Sequence, residues 1–246
     1  MVRRGLTIAA VAIVMLIASQ AMADTVVSTY LGMEAGTAGP TVSWKNLPGD
    51  AKFESGTYYT GPYAFNRDGG SYTGPGLPST GKYIAVCVQM VDLVSPATYD
   101  VVSPSLVPDH GSAQQLDNAD RSSLRRLELL ENLFAQHWSE IWSAGANKNK
   151  YAAAFQLAAW EIIYETNTTK SLDSGSSTTF YAAPSDATTQ ANTWLAGLSA
   201  DGTKMGLIGL RDGQDFVVPV PLPATAGMMF ATLAVLGAVT SLRRRS

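Results

Sequence analysis

Short apolar runs separated by turn residues fill the first part of the chain, residues 24–108. The clearest runs cover residues 41–44, 57–59 and 83–94. Gly-Pro, Pro-Gly and Asp-Gly-Gly sequences punctuate this region. Short apolar runs between such turn signals are typical of antiparallel strands. We therefore expect a β-rich part, sandwich-like or barrel-like, over this region.

A helical period replaces this pattern over residues 117–198. Asp120 is a candidate N-cap for a helix that reaches about Trp142. Within it, apolar residues recur at spacings of three and four, at Leu124, Leu127, Leu130, Phe134, Trp138 and Ile141. Residues 151–165 predict a second helix and residues 184–198 a third, and short strands return at 205–210 and 216–218. Strands followed by a helical subdomain predict an α+β fold.

The first 23 residues have the pattern of a secretory signal peptide. Arg3 and Arg4 precede an uncharged, mostly apolar run, and Ala21-Met22-Ala23 forms a small-x-small cleavage site. The pattern predicts export and a mature chain that begins at Asp24. An uncleaved membrane anchor is the alternative interpretation.

The last 28 residues, 219–246, predict a membrane-targeting tail. Prolines interrupt residues 217–223 and favour an extended linker. Residues 224–242 carry no charge, and a helix of that length measures about 28 Å, enough to cross the hydrocarbon core. Arg243, Arg244 and Arg245 follow it, and they favour an orientation in which the body of the chain faces outward. A plain tail anchor would explain these features.

This tail also resembles the PEP-CTERM sorting signal of Gram-negative bacteria, in its VPLPA variant. The matching residues are Val220, Pro221, Leu222, Pro223 and Ala224, ahead of the hydrophobic segment and the arginines. The resemblance implies transient insertion in the inner membrane and cleavage by an exosortase-type processing enzyme. It further implies delivery to the cell surface or the extracellular matrix. The predicted organisation is a signal peptide at 1–23, an extracytoplasmic domain at 24–218 and a sorting signal at 219–246.

Composition argues against several classes of function for the central domain. Of the 246 residues, 46% are hydrophobic, which is sufficient for a packed core. The formal net charge is −3, and no basic field suggests binding to nucleic acid. One cysteine and two histidines exclude an intramolecular disulfide and argue against a zinc site. We predict no metal and no cofactor.

The single cysteine, Cys87, lies in a predicted central strand that is apolar on both faces. Four interpretations are open: an inert buried thiol, an intermolecular disulfide partner, a nucleophile, or half of another crosslink. A cysteine hydrolase would need a histidine base near its nucleophile. Neither His110 nor His137 lies in a recognisable signature of that kind. We therefore do not predict an enzyme.

A glutamine on the apolar face of the second predicted helix is a candidate partner for the thiol. A helical wheel places Gln156 among small residues such as Ala152 and Ala159, with Glu161 and Glu165 toward the opposite face. A buried amide that finds no partner costs about 1–3 kcal/mol. Gln156 must therefore bond to a nearby backbone or take part in a crosslink.

The residues Gln156-Leu157-Ala158-Ala159-Trp160 resemble the Thr-Gln-x-Ala-Ile-Trp motif of bacterial surface thioester domains. In that family an internal thioester joins a strand cysteine to the motif glutamine. The resemblance implies a crosslink between Cys87 and Gln156, with Ala158 and Trp160 as supporting motif positions. This chain departs from the motif where Phe155 replaces threonine and Ala159 replaces isoleucine.

Two functional hypotheses follow. In the first, the thioester is an electrophile that an amine on a surface protein or polysaccharide matrix opens, which leaves a covalent amide and makes the protein adhesin-like. In the second, the protein is a passive structural component of the extracellular matrix and Cys87 is an ordinary buried thiol. Both hypotheses share the export route and the fold.

Overall fold

The computed structural model describes residues 24–44, 54–90, 95–108, 125–165, 170–175, 179–212 and 214–220. The strands within these residues are β1 (Thr25–Met33), β2 (Thr37–Trp44), β3 (Glu54–Thr60), β4 (Tyr63–Gly69), β5 (Gly81–Cys87), β6 (Ala97–Val102), β7 (Phe180–Ala182), β8 (Leu207–Arg211) and β9 (Phe216–Pro219). The α-helices are α1 (Arg126–Ser143), α2 (Lys148–Tyr164) and α3 (Asp186–Gly197).

Six of the strands close into an antiparallel barrel in the order β1-β4-β5-β9-β8-β6. A second antiparallel sheet has the order β3-β2-β7. The helices follow the first six strands in the chain and precede the last two barrel strands. The predicted α+β fold is therefore confirmed, and its β-rich part is a barrel.

Aromatic rings fill the barrel interior. Tyr99 of β6 contacts Phe65 of β4 and Phe216 of β9, with ring centroids 6.2 and 6.0 Å apart. Because β6 pairs with β1 and β8 only, these contacts must cross the interior. Phe65 also stacks on Tyr83 of β5 at 5.5 Å. The barrel therefore has its own packed core, as expected for a small closed barrel.

Helix α2 lies at the centre of the second half of the fold. It packs against α1, against α3 and against the β3-β2-β7 sheet. The prediction that this helix has a polar side is wrong, because Ala154, Glu161 and Glu165 are 0%, 1% and 4% exposed. Neighbours on every side bury the whole circumference, so the amphipathic pattern expected of a surface helix does not apply.

Two predicted bounds also change. Helix α1 begins at Arg126, directly after Arg125 in a left-handed conformation with φ 45°. The predicted cap Asp120 and the predicted stripe residue Leu124 lie outside the described residues. Strand β5 ends at Cys87, short of the predicted residue 94. The start of α3 is confirmed, since the Ser185 hydroxyl accepts a hydrogen bond from the Thr188 N–H at 3.0 Å.

No helix among the described residues is long and apolar enough to cross a membrane. The predicted signal peptide lies outside the described residues, as do Pro221, Pro223, Ala224, the predicted transmembrane helix and the three terminal arginines. Val220, the first residue of the predicted sorting motif, directly follows β9. Its N–H donates to the carbonyl of Gly206 at 2.8 Å.

Candidate functional site

Cys87 lies at one end of the barrel, as the last residue of β5. Side chains alternate along a strand, so Tyr83, Ala85 and Cys87 share one face. Tyr83 stacks on Phe65 inside the barrel, which identifies this face as the inner one. The thiol therefore points inward, and Cys87 is 0% exposed.

Gln156 of α2 reaches the main chain of Cys87 from the helical side. Its Nε2 donates to the Cys87 carbonyl at 2.7 Å, and its Oε1 accepts from the Cys87 N–H at 3.3 Å. Strand β4 begins at Tyr63, opposite Ala85, and does not extend beside Cys87. The Gln156 amide thus pairs with the main chain where a strand neighbour is missing. The structure brings the two predicted residues together through backbone bonds, which was one of the open alternatives.

A different glutamine touches the sulfur itself. The Nε2 of Gln214 lies 3.0 Å from Cys87 Sγ and also donates to the Gln89 carbonyl at 3.1 Å. The thiol in turn donates to the Gln89 carbonyl at 2.9 Å. Gln214 is itself buried. The carboxamide in direct contact with the thiol is therefore one that the sequence analysis did not identify.

Strand pairing explains how Gln214 reaches the thiol from 127 positions along the chain. Strand β9 runs antiparallel to β5, with Phe216 opposite Cys87. Beyond the paired strands, the Val88 N–H donates to the Asp215 carbonyl at 3.0 Å. Gln214 directly precedes this segment and so lies over the end of the barrel. The available sequence signal was a glutamine next to a short predicted strand, but nothing in the sequence paired that strand with β5.

Burial controls the charge state of the thiol. Desolvation is the largest influence and raises the pKa of Cys87 from 9.0 to about 12. The hydrogen bond to the Gln89 backbone, together with the Trp160 and Gln214 side chains, lowers it, whereas the nearby Asp215 charge raises it. The site therefore holds a protonated thiol at neutral pH.

Trp160 lies one helical turn beyond Gln156 on α2 and is 1% exposed. Its indole meets the ring of Tyr58 edge-on at 6.4 Å and that of Phe180 at 6.5 Å. The indole N–H lies close enough to the Cys87 thiol to lower its pKa, yet it forms no geometrically sound hydrogen bond in the described structure. The other predicted motif position, Ala158, is fully buried within the core.

The histidines do not supply a base for Cys87 in the described structure. His137 stacks on Trp194 at 4.6 Å and contacts Glu140 through Nδ1 at 3.1 Å, which gives it a packing role between α1 and α3. His110 lies outside the described residues. Within the described ranges, no group of three or more His, Cys, Asp or Glu side chains could hold a metal ion.

Comparison of the chain with protein-family models, with curated proteins and with solved structures gives no match.

Proposed function

We propose that this chain is an exported surface or extracellular-matrix protein that attaches covalently to amine-bearing targets through an internal thioester at Cys87. The observation that supports the proposal is the 3.0 Å contact between Cys87 Sγ and the Gln214 carboxamide. Both residues are buried, so bulk water is kept away from the reacting groups. A nucleophile held against its acceptor reacts far faster than two free groups do.

Two glutamines compete as the acyl partner of Cys87. Both amide atoms of Gln156 are engaged by the Cys87 main chain, so its reaction would require these two bonds to break. The Gln214 amide nitrogen touches the sulfur and has one main-chain bond, to the Gln89 carbonyl, and its carbonyl oxygen has no hydrogen-bond partner in the described structure. We therefore favour Gln214 as the acyl partner and Gln156 as the residue that positions Cys87. The crosslink to Gln156 stays a prediction that the same experiment tests.

The reaction balances without a cofactor. The Cys87 sulfur attacks the glutamine Cδ, a C–S bond forms, the C–N bond breaks, and the thiol proton leaves with the nitrogen as ammonia. An amine, such as a lysine on a target surface, later attacks the same carbon. The C–S bond then breaks, an amide joins the target to the glutamine, and the sulfur recovers a proton. Each molecule reacts once, so the protein is not an enzyme in the turnover sense.

The export features fit this use of the site. The signal peptide and the PEP-CTERM-like tail would bring the domain through the inner membrane to the exosortase-type enzyme and then to the surface. There the available amines belong to surface proteins or to the polysaccharide matrix. A thioester is consumed by free amines and by water, so an enclosed site would preserve it until a target is met.

Intact-mass measurement of the exported protein, purified at neutral pH without added amines, tests the proposal. We expect a mass lower than calculated by one ammonia. Methylamine should then add once and release one alkylatable thiol. Tandem mass spectrometry of a digest locates the methylamide: on Gln214 it supports the favoured crosslink, and on Gln156 it supports the crosslink predicted from the motif.

The second candidate function is the passive matrix component, and the raised pKa of Cys87 favours it. A thiol that burial holds protonated is a weak nucleophile. For this candidate we expect the full calculated mass and a thiol that is alkylated only after unfolding. That result would contradict the thioester proposal.

A further inference from the structure

Three polar atoms at the end of the barrel lie almost equally far apart. The Cys87 Sγ lies 2.9 Å from the Gln89 main-chain oxygen and 3.0 Å from the Gln214 Nε2, and the Nε2 lies 3.1 Å from the same oxygen. The thiol and the carboxamide nitrogen therefore both donate to one carbonyl, and the nitrogen also donates to the sulfur. All three residues are buried. The nitrogen that would leave as ammonia is thus held between two acceptors before any reaction.

Contacts on two sides hold the Gln89 carbonyl in place. The Gln89 Oε1 accepts from the Asp215 N–H at 3.3 Å, and Asp215 directly follows Gln214 in the chain. The Met90 N–H, which belongs to the same peptide group as the Gln89 carbonyl, donates to the Tyr164 hydroxyl of α2 at 2.8 Å. An acceptor fixed in this way needs no reorganisation when a reaction occurs beside it.

Formation of the proposed thioester would remove two donors from this carbonyl. The thiol proton and the Gln214 nitrogen leave together as ammonia, so neither residue then donates to the Gln89 oxygen. The later attack by an amine is the reverse of ammonia loss with a substituted nitrogen. The amine nitrogen must therefore pass through the place that Nε2 occupies in the resting protein, between the Cys87 sulfur and the Gln89 oxygen.

We infer that the Gln89 carbonyl makes the thioester selective for primary amines over secondary amines. This inference rests on the proposed function and specifies its substrate class. As a primary amine attacks Gln214 Cδ, a C–N bond forms and the C–S bond breaks. One N–H proton passes to the departing Cys87 sulfur, and the second N–H donates to the Gln89 oxygen. A secondary amine has a single N–H, which the sulfur takes, so its second carbon meets an oxygen that has lost these two donors.

Selection of this kind follows from the cost of a mismatched polar group. A buried acceptor that faces carbon in place of a donor is unfavourable, and a site that bonds an N–H group rejects analogues without it. The target group is then a primary amine, such as an unmodified lysine side chain, and a lysine monomethylated at Nζ would react poorly. Gln89 determines specificity through its main chain, while its side chain holds the segment that carries Gln214.

The test treats the exported protein with ethylamine and, separately, with dimethylamine. The two amines are isomers of similar basicity, but ethylamine carries two N–H bonds and dimethylamine carries one. Their rates with a small-molecule alkyl thioester give the intrinsic ratio. Isopropylamine is the control for crowding, because it is branched next to the nitrogen and is still a primary amine. Intact-mass measurement follows the ammonia deficit and the addition of each amine.

We expect the ratio of the ethylamine rate to the dimethylamine rate to exceed the intrinsic ratio by at least about 10-fold, with isopropylamine closer to ethylamine. A ratio equal to the intrinsic one, or isopropylamine as slow as dimethylamine, would overturn the selectivity while leaving the thioester intact. A chain that shows the ammonia deficit but adds no amine would overturn the selectivity together with the attachment to amines. A chain without the deficit would overturn the whole proposed function.

An amide-to-ester exchange tests the Gln89 carbonyl itself. The α-hydroxy analogue of methionine at position 90 turns the Gln89–Met90 peptide into an ester, whose carbonyl is a weaker acceptor. The exchange also removes the Met90 N–H, so Tyr164→Phe, which loses the same bond from the other side, is the matched control. We expect the rate ratio to fall toward the intrinsic value in the ester chain and to persist in Tyr164→Phe. An unchanged ratio in the ester chain would overturn the assignment to Gln89.

Discussion

Two buried polar clusters lie along helix α2, and they differ in the chemistry of their groups. The thiol cluster, at the end of the barrel, comprises Cys87, Gln89, Gln156, Trp160 and Gln214. The carboxylate cluster, near the end of the helix, comprises Glu161, Glu165, Ser171, Thr179 and Phe180. In the first, a backbone carbonyl and a side-chain amide touch the sulfur. In the second, two carboxyl groups receive backbone N–H donors from segments that follow the helix.

Under the proposed function, burial serves structure in the carboxylate cluster and chemistry in the thiol cluster. Glu165 accepts from the Thr179 N–H at 3.1 Å and from the Phe180 N–H at 3.4 Å, so it fixes the start of β7 to the helix. The thiol cluster instead holds a sulfur nucleophile in contact with the Gln214 side-chain amide. Burial in the carboxylate cluster strengthens hydrogen bonds, and burial in the thiol cluster keeps water from the sulfur.

The largest expected effect is the loss of the crosslink in Gln214→Ala. Without Gln214 no side-chain amide contacts the sulfur, so the ammonia deficit should vanish completely. Gln136→Ala is the matched control, because Gln136 bonds to Asn132 on α1 and lies outside both clusters. Intact-mass measurement of the two folded variants shows whether each carries the ammonia deficit. A deficit that persists in Gln214→Ala would contradict the crosslink to Gln214 and support the crosslink to Gln156.

The carboxylate cluster should respond to mutation through stability alone. Glu165→Ala leaves the N–H groups of Thr179 and Phe180 without their acceptor, at a cost of about 3 kcal/mol in the free energy of unfolding. Urea unfolding measures this cost, with Glu140→Ala on the surface of α1 as the control. The variant should keep the ammonia deficit when folded. A loss of less than about 0.5 kcal/mol would show that Glu165 does not anchor β7.

A smaller loss of stability is expected for Gln156→Leu. The variant keeps the volume but leaves the Cys87 N–H and carbonyl unpaired, which should cost about 2 kcal/mol. Folded protein should still show the ammonia deficit, because Gln214 remains in place. The deficit should form more slowly than in the wild-type chain, because Gln156 no longer positions Cys87. Gln136→Leu gives the baseline for the substitution in both urea unfolding and mass measurements. If folded Gln156→Leu loses the ammonia deficit completely while folded Gln136→Leu keeps it, the crosslink to Gln156 is favoured.

The smallest expected effect is a change in pH dependence. Burial, followed by the nearby Glu165 and Asp173 charges, raises the pKa of Glu161 well above 4.5, although the Ser171 N–H lowers it. Between 4.5 and the raised value the unfolded chain has lost a proton that the folded chain keeps, so stability falls as the pH rises. The slope is at most about 1.4 kcal/mol per pH unit.

Glu161→Gln cannot titrate, so its stability should lack this decline. The difference between wild type and variant in urea unfolding, measured from pH 4 upward, isolates the contribution of Glu161 from that of other carboxyl groups. The ammonia deficit should be the same in both chains, because Glu161 belongs to the carboxylate cluster. Parallel stability profiles would mean that Glu161 is ionised in the folded protein.

Local patterns predicted the elements of this fold well, because each depends on near neighbours in the chain. The short strands at 41–44 and 57–59 lie within β2 and β3, and α3 begins two residues after its predicted start. Helix α2 lies within three residues of its predicted bounds at each end. The burial of Cys87 also followed from the apolar run around it.

Other features depend on contacts between distant segments. Glu161 and Glu165 were expected on a polar face, but α1, α3 and the second sheet surround α2 and bury them. Gln156 was correctly expected on a buried face near Cys87, since small neighbours mark a close approach. Gln214 was missed, because its position depends on the pairing of β9 with β5.

The sequence by itself determined the strand and helix segments, the buried single thiol and a buried glutamine on the central helix. These follow from periodicity and from the cost of burying polar groups, which act over a few residues. Only the tertiary structure decided that β5 lies between β4 and β9, and that the end of the barrel brings Gln214 to the sulfur while Gln156 holds the main chain. Strand order is set by which apolar faces close the barrel together, and that choice involves the whole chain at once.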